Sequence, residues 1–193
     1  MLALVILVCS ALYAIAAYIT FYKQVIDRDT QPNGWGWFIW AWANLTEALT
    51  YDAVSGDPMK SYIFFLSTGL CFVTAIAVCT RAEWSAPTWT ERLTVVAGVA
   101  AMIVLFYFHE AWWAHVVMLA FVPISFFPEW TKAWVQPQSH RPLAWSLWAA
   151  GDFFALIVVV LLLDDIKELP YAVLEFGSHY LMLFIIVIRR RGV

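Results

Sequence analysis

Residues 37–51 read WFIWAWANLTEALTY. Trp37, Trp40, Asn44, Glu47 and Tyr51 follow one another in steps of three, four, three and four, so a helix carries all five on one face. The opposite face is Phe38, Ile39, Ala41, Ala43, Leu45, Ala48 and Leu49, interrupted by Trp42 and Thr46. In a soluble helix this stripe would meet water. Between long apolar runs it turns toward the inside of a membrane bundle, where an ionisable side chain is costly and marks a functional site.

The surrounding chain is built for a bilayer. Of 193 residues, 63% are hydrophobic and 13% charged, with a mean hydropathy of +0.76; soluble domains carry about 25% charged residues. Breaks at charged and Pro/Gly-rich segments leave seven apolar runs: Leu2–Tyr22, Trp37–Val54, Tyr62–Thr80, Leu93–Phe108, Trp112–Phe127, Leu143–Leu163 and Leu169–Ile188. Most reach the ~17 to 25 residues a spanning helix needs. The expected fold is an all-α integral membrane protein of seven transmembrane helices, with Leu2–Tyr22 a retained first helix because no basic stretch precedes it. Assigning loops alternately to two sides puts Lys23, Arg28, Arg81, Arg92, Lys132, Arg141, Arg189, Arg190 and Arg191 on one side, and Lys60 and Lys167 on the other. The positive-inside rule then predicts an outer N-terminus and a cytoplasmic C-terminus, in a plasma or inner membrane. The lipid bilayer is the expected partner, and nucleic acid is not.

Little in the chain speaks for an enzyme or a cofactor. Cys9, Cys71 and Cys79 lie in apolar runs without metal-ligand spacing and read as small hydrophobes. His109, Glu110 and His115, with Trp112 and Trp113 among them, read as a wet membrane rim and not as a metal site. Pro123 and Pro128 are expected to bend or break the cytoplasmic half of the fifth helix. Trp35 marks the headgroup level, and Trp37 and Trp145 read as interface anchors, whereas Trp40 and Trp148 lie one turn deeper. A retinal protein is disfavoured, since the seventh run holds no lysine within its span.

A repeat is visible between distant runs. Trp37 and Trp145, Trp40 and Trp148, Ala41 and Ala149, Asn44 and Asp152, Leu66 and Leu174, and Gly69 and Gly177 all stand at an offset of 108. One ungapped register therefore aligns helices two and three with six and seven. It implies three helices, a linker and three more, a parallel repeat of the kind transporters use: residues 1–80, 93–109 and 111–189.

With this layout, the first junction ITFYKQVIDRDTQPNGWGWF and the second, VPISFFPEWTKAWVQPQSHRPLAW, resemble the SWEET/PQ-loop superfamily of membrane transporters. The resemblance implies two triple-helix bundles joined by an inverting helix, no cofactor, and Pro123 as the hinge proline. It also implies Tyr51 as the pocket aromatic of helix two, with Thr68 or Cys71, and His179, at the pocket positions of helices three and seven. A weaker resemblance is to the nicotinamide-riboside carriers, which share the three-one-three layout.

Depth points to one candidate site. At ~1.5 Å per residue, Asn44 and Asp152 lie roughly 10 Å from the cytoplasmic ends of their helices, with Glu47 near the midplane, and Glu175 and His179 lie roughly 9 and 15 Å from the outer end of theirs. The expectation is a small-polar-solute transporter binding its solute through Trp40, Asn44, Glu47, Tyr51, Trp148, Asp152 and His179. Glu47, Asp152 and Glu175 are candidates for proton coupling, since a carboxylate beside a histidine can hold or pass a proton. The alternative is a non-transporting subunit or receptor, facing a membrane-protein partner or a second copy, with the polar cluster as interhelical glue.

Overall fold

The computed structural model describes residues 1–30, 32–78, 81, 84 and 86–191. Among them the chain is all-helical: α1 (Leu2–Ile26), α2 (Gly34–Ser55), α3 (Pro58–Val78), α4 (Trp89–Phe106), α5 (Ala111–Val135), α6 (Pro142–Leu161) and α7 (Leu169–Arg191), with short 3₁₀ turns before α6 and α7. Six of the seven are long and apolar enough to cross a membrane. Cys79 lies outside the described residues.

α2 is the exception, and its position explains why. It packs against α3, α4 and α5, and no residue from Gly36 to Asp52 is exposed. A helix walled in by protein does not meet lipid, so it tolerates Asn44, Thr46, Glu47 and Thr50 along its length. Asn33 caps it by accepting from the Trp35 backbone N–H, and Gly56, at φ +62°, ends it in the left-handed conformation that glycine adopts without a Cβ clash. The outer helices turn their large apolar side chains outward instead: Leu4, Val8, Leu12 and Ile19 of α1, Val96, Val99 and Ile103 of α4, and Val173, Phe184 and Ile188 of α7 are exposed. This belt makes the chain a membrane protein.

α1 presents Leu7, Ser10, Ala14, Ala17, Tyr18 and Phe21 inward, at helical spacing. It packs mainly on α6 and also on α3. The close crossing depends on small residues. A Cβ at Gly151 would stand 3.4 Å from the Ala14 backbone N and the Ser10 carbonyl, and Ser10 Oγ donates to the Gly151 carbonyl at 2.8 Å. α6 packs on α7, α7 on α5, and α4 lies against α2 and α5, where the Trp42 indole lies over Gly98.

Several local expectations change. α4 starts at Trp89, not Leu93, because Thr88 and Glu91 form a capping box. α3 starts at Pro58, one residue from the start near Met59 that the sequence implies, so Lys60 lies inside the helix and is buried. α5 runs unbroken through Pro123 and Pro128 to Val135. In the turn before Pro128, Trp40 Nε1 donates to the Ser125 carbonyl at 3.1 Å. Trp37 and Trp145 are not interface anchors: they are 6% and 3% exposed and belong to the core.

Candidate functional site

The α1–α2 and α5–α6 loops and the end of α7 share one face of the bundle. There Arg141 donates to Asp29 at 2.7 Å, and Arg190 donates to the His140 carbonyl at 2.6 Å. On the opposite face Lys60 Nζ donates to Glu168 at 2.6 Å and to Asp164 at 3.0 Å, and Lys167 sits 5.6 Å above the Trp112 ring. Lys60 and Glu168 are both buried, Asp164 exposed.

Between these faces lies a cavity of about 40 Å³. α2 contributes Trp40, Asn44 and Glu47; α6 contributes Trp148 and Asp152; α7 contributes Tyr171, Glu175 and His179. Tyr18 of α1, Ser67 of α3 and Ser125 of α5 complete the polar lining, so every helix but α4 takes part. A cavity of this size has room for about three waters, at ~10 to 15 Å³ each.

Aromatic layers close it at both ends. Toward the C-terminal face, Trp37 packs on Phe21 at 4.6 Å and Trp40 at 5.6 Å, and Trp145 on Trp148 at 5.1 Å, between ring centroids. Trp37 and Trp40 also wall a second, smaller cavity toward that face, whose rim includes Glu129 and His140. Toward the opposite face, Phe64 packs on Tyr51 at 4.7 Å and on Tyr171 at 4.6 Å, with the His115 ring 5.8 Å from Tyr171.

The chemistry concentrates on α6 and α7. His179 Nδ1 lies 2.7 Å from Asp152 Oδ2 and 3.6 Å from Glu175 Oε2. The shorter contact pairs the ring with the Asp152 carboxylate, while the ring nitrogen also lies 3.3 Å from the Glu175 carbonyl. The donor atoms of Asp152, Glu175 and His179 all fall within 4.8 Å of one another. Glu47, 3% exposed, faces Glu175 side chain to side chain and accepts from Tyr171 Oη at 3.3 Å. Trp148 Nε1, on a side chain 5% exposed, has no partner. No lysine or arginine lines the cavity.

Of the residues singled out from sequence, Trp40, Asn44, Glu47, Trp148, Asp152, Glu175 and His179 line this one cavity. Tyr51 does not: it sits one layer away, in the aromatic lid with Phe64 and Tyr171. Pro123 lies two residues before the cavity-lining Ser125. His109 and Glu110 are exposed, but His115 leaves that rim and turns into the bundle, fully buried, with Nδ1 3.3 Å from Thr50 Oγ1. Sequence reading missed Tyr18 and Tyr171, whose tyrosines look like any others in an apolar helix. Ser67 stands beside Thr68 on helix three, where small polar residues commonly bond their own backbone or let helices approach closely. Compared with known proteins, the chain matches no family model, no curated protein and no solved structure, so its function rests on the site itself.

Proposed function

We propose that the chain is a membrane carrier for a small polar, cationic solute, bound in the central cavity and released to either face as two three-helix units rock about it. The observation that carries this reading is the composition of the cavity wall. Three carboxylates and an imidazole converge there with no lysine or arginine to balance them, deep in a bundle where unpaired charge is expensive. Such a wall needs a cation, whether cargo or protons.

The helix packing supports the two-unit layout. α2 packs on α3 as α6 does on α7, α1 on α3 as α5 does on α7, and α1 on α6 as α5 does on α2, while α4 lies to one side on α2 and α5. These three pairs of contacts map onto one another when α1–α3 and α5–α7 are exchanged. The cavity wall follows the same register: Tyr18 and Phe126, Trp40 and Trp148, Ala43 and Gly151, Asn44 and Asp152, Glu47 and Ala155, Ile63 and Tyr171, and Ser67 and Glu175 all line it in pairs 108 apart. On this reading the proline-bearing turns of α5, next to Ser125, are where the second unit flexes, with Pro123 as hinge.

The subunit reading draws on one observation, the small size of the cavity, which admits no sugar-sized solute in this conformation. Uptake separates the two. Proteoliposomes holding the wild-type chain are expected to accumulate at least one member of a panel of labelled small cations and polar solutes, with Glu47→Gln and Asp152→Asn each lowering the rate at least ~10-fold. An internal pH dye in the same vesicles reads whether protons are exchanged. A folded wild type that moves none of the panel would favour the subunit.

A further inference from the structure

We propose that Asp152, Glu175 and His179 form a binding site for a divalent transition-metal ion of the manganese-to-zinc series, with Glu47 as a fourth ligand. That the ion is cargo rests on the carrier reading above; that it binds does not.

The geometry is the first support. Nitrogen and oxygen ligands stand ~2.0 to 2.2 Å from such an ion, so any two of them lie at most ~4.4 Å apart. Asp152 Oδ2 and His179 Nδ1 are 2.7 Å apart, His179 Nδ1 and Glu175 Oε2 are 3.6 Å apart, and the whole set spans no more than 4.8 Å. A small rotation of one carboxylate closes the set around an ion. Glu175 and His179 are one turn apart on α7 and Asp152 faces them from α6, so two packed helices hold the three ligands.

A second, independent support comes from a polar atom left without a partner. Trp148 Nε1, on a side chain 95% buried, donates no hydrogen bond although the residue lines the cavity. Buried polar atoms are rarely left so. A water on the ion gives the indole N–H an acceptor. The whole cavity holds the equivalent of about three waters, enough for an ion with a water or two on it and too little for a larger solute. Tyr171 holds Glu47 from behind by donating to it, the arrangement that orients metal ligands.

The donor set narrows the ion. Imidazole nitrogen with carboxylate oxygens suits manganese through zinc, whereas magnesium and calcium prefer all-oxygen cages. Among the described residues no cysteine lines the cavity, so nothing there favours soft copper(I).

Cobalt(II) is the probe, because its visible absorption reports nitrogen and oxygen coordination. The full chain in lipid nanodiscs is titrated with Co²⁺ by absorption and calorimetry, with a melting curve recorded for each variant to show that it is folded. The expected result is one saturable site per chain, weakened at least ~100-fold by His179→Gln and by Asp152→Asn, competed by Mn²⁺ and Zn²⁺, and poorly competed by Mg²⁺. His109→Gln, at an exposed histidine, leaves it unchanged. Absence of saturable binding to folded wild type, binding that survives both cavity variants, or binding lost with His109→Gln would each overturn the site. If Co²⁺ binds as expected and no vesicle uptake is found, the site stands and the carrier reading falls. If another solute is carried and Co²⁺ does not bind, the reverse holds.

Discussion

On α2 the residues facing the central cavity are Trp37, Trp40, Ala43, Asn44 and Glu47; on α6 they are Trp148, Gly151, Asp152 and Ala155, each 108 beyond one of the last four. The indoles and the small residues keep their places, but the charges do not. Asn44 meets Asp152, and on the neighbouring helices Ser67 meets Glu175 and Cys71 meets His179, while Glu47 meets Ala155. Indoles and small residues recur between α2 and α6, and ionisable chemistry is gathered on α6 and α7, with Glu47 its one counterpart from α2. A wall can be built twice from one pattern, whereas a binding site needs its donors at one point.

The largest effect expected from this comparison is at Lys60 and Glu168, which stand 108 apart and pair directly across the bundle. Lys60→Met leaves Glu168, 1% exposed, buried without its partner and is expected to cost about 3 to 5 kcal/mol. The double variant Lys60→Met, Glu168→Leu is expected to recover most of that, read by thermal or denaturant unfolding in micelles. A cost under about 1 kcal/mol for the single variant would mean that the two halves do not depend on this pair.

A smaller effect is expected at the α1–α6 crossing. Gly151→Leu forces side-chain atoms against the α1 backbone, at a cost of about 1 to 3 kcal/mol. Ser10→Ala removes the hydrogen bond that spans the same crossing, for about 1 kcal/mol. The smallest is at Gly69 and Gly177, a pair at the same offset with open space around both. Alanine at either is expected to stabilise its helix by about 0.5 to 1 kcal/mol. A loss at one and a gain at the other would show that the two positions are packed differently.

Much of this was legible in the chain. The five-residue stripe on α2 marked the one helix wrapped by protein, and rise per residue brought Asn44, Glu47, Asp152, Glu175 and His179 to similar depth before any packing was known. Hydropathy located the apolar runs but not their ends. Thr88 and Glu91 cap α4 through a signal written in the sequence as T-W-T-E, and Pro58 starts α3 in the place a proline favours. What periodicity does not give is which neighbour a face meets. Trp37 and Trp145 lie where headgroup anchors would, and only the packing of Phe21 and Trp148 around them makes them core. Likewise Tyr51 shares the stripe with Glu47, yet the next turn of the helix carries it past the cavity into the lid with Phe64 and Tyr171. His115 was grouped with its sequence neighbours, and helix rotation took it away from them.

The central claim is that this cavity opens to each side of the membrane in turn. It is tested most directly by Ser67→Cys, with Cys9, Cys71 and Cys79 replaced by alanine, in proteoliposomes exposed to a membrane-impermeant thiol reagent from outside or from within. The account predicts that Cys at position 67 is labelled from both sides, and more slowly when the carried solute is present. A folded protein labelled from neither side, or from one side only whatever the solute, would contradict it.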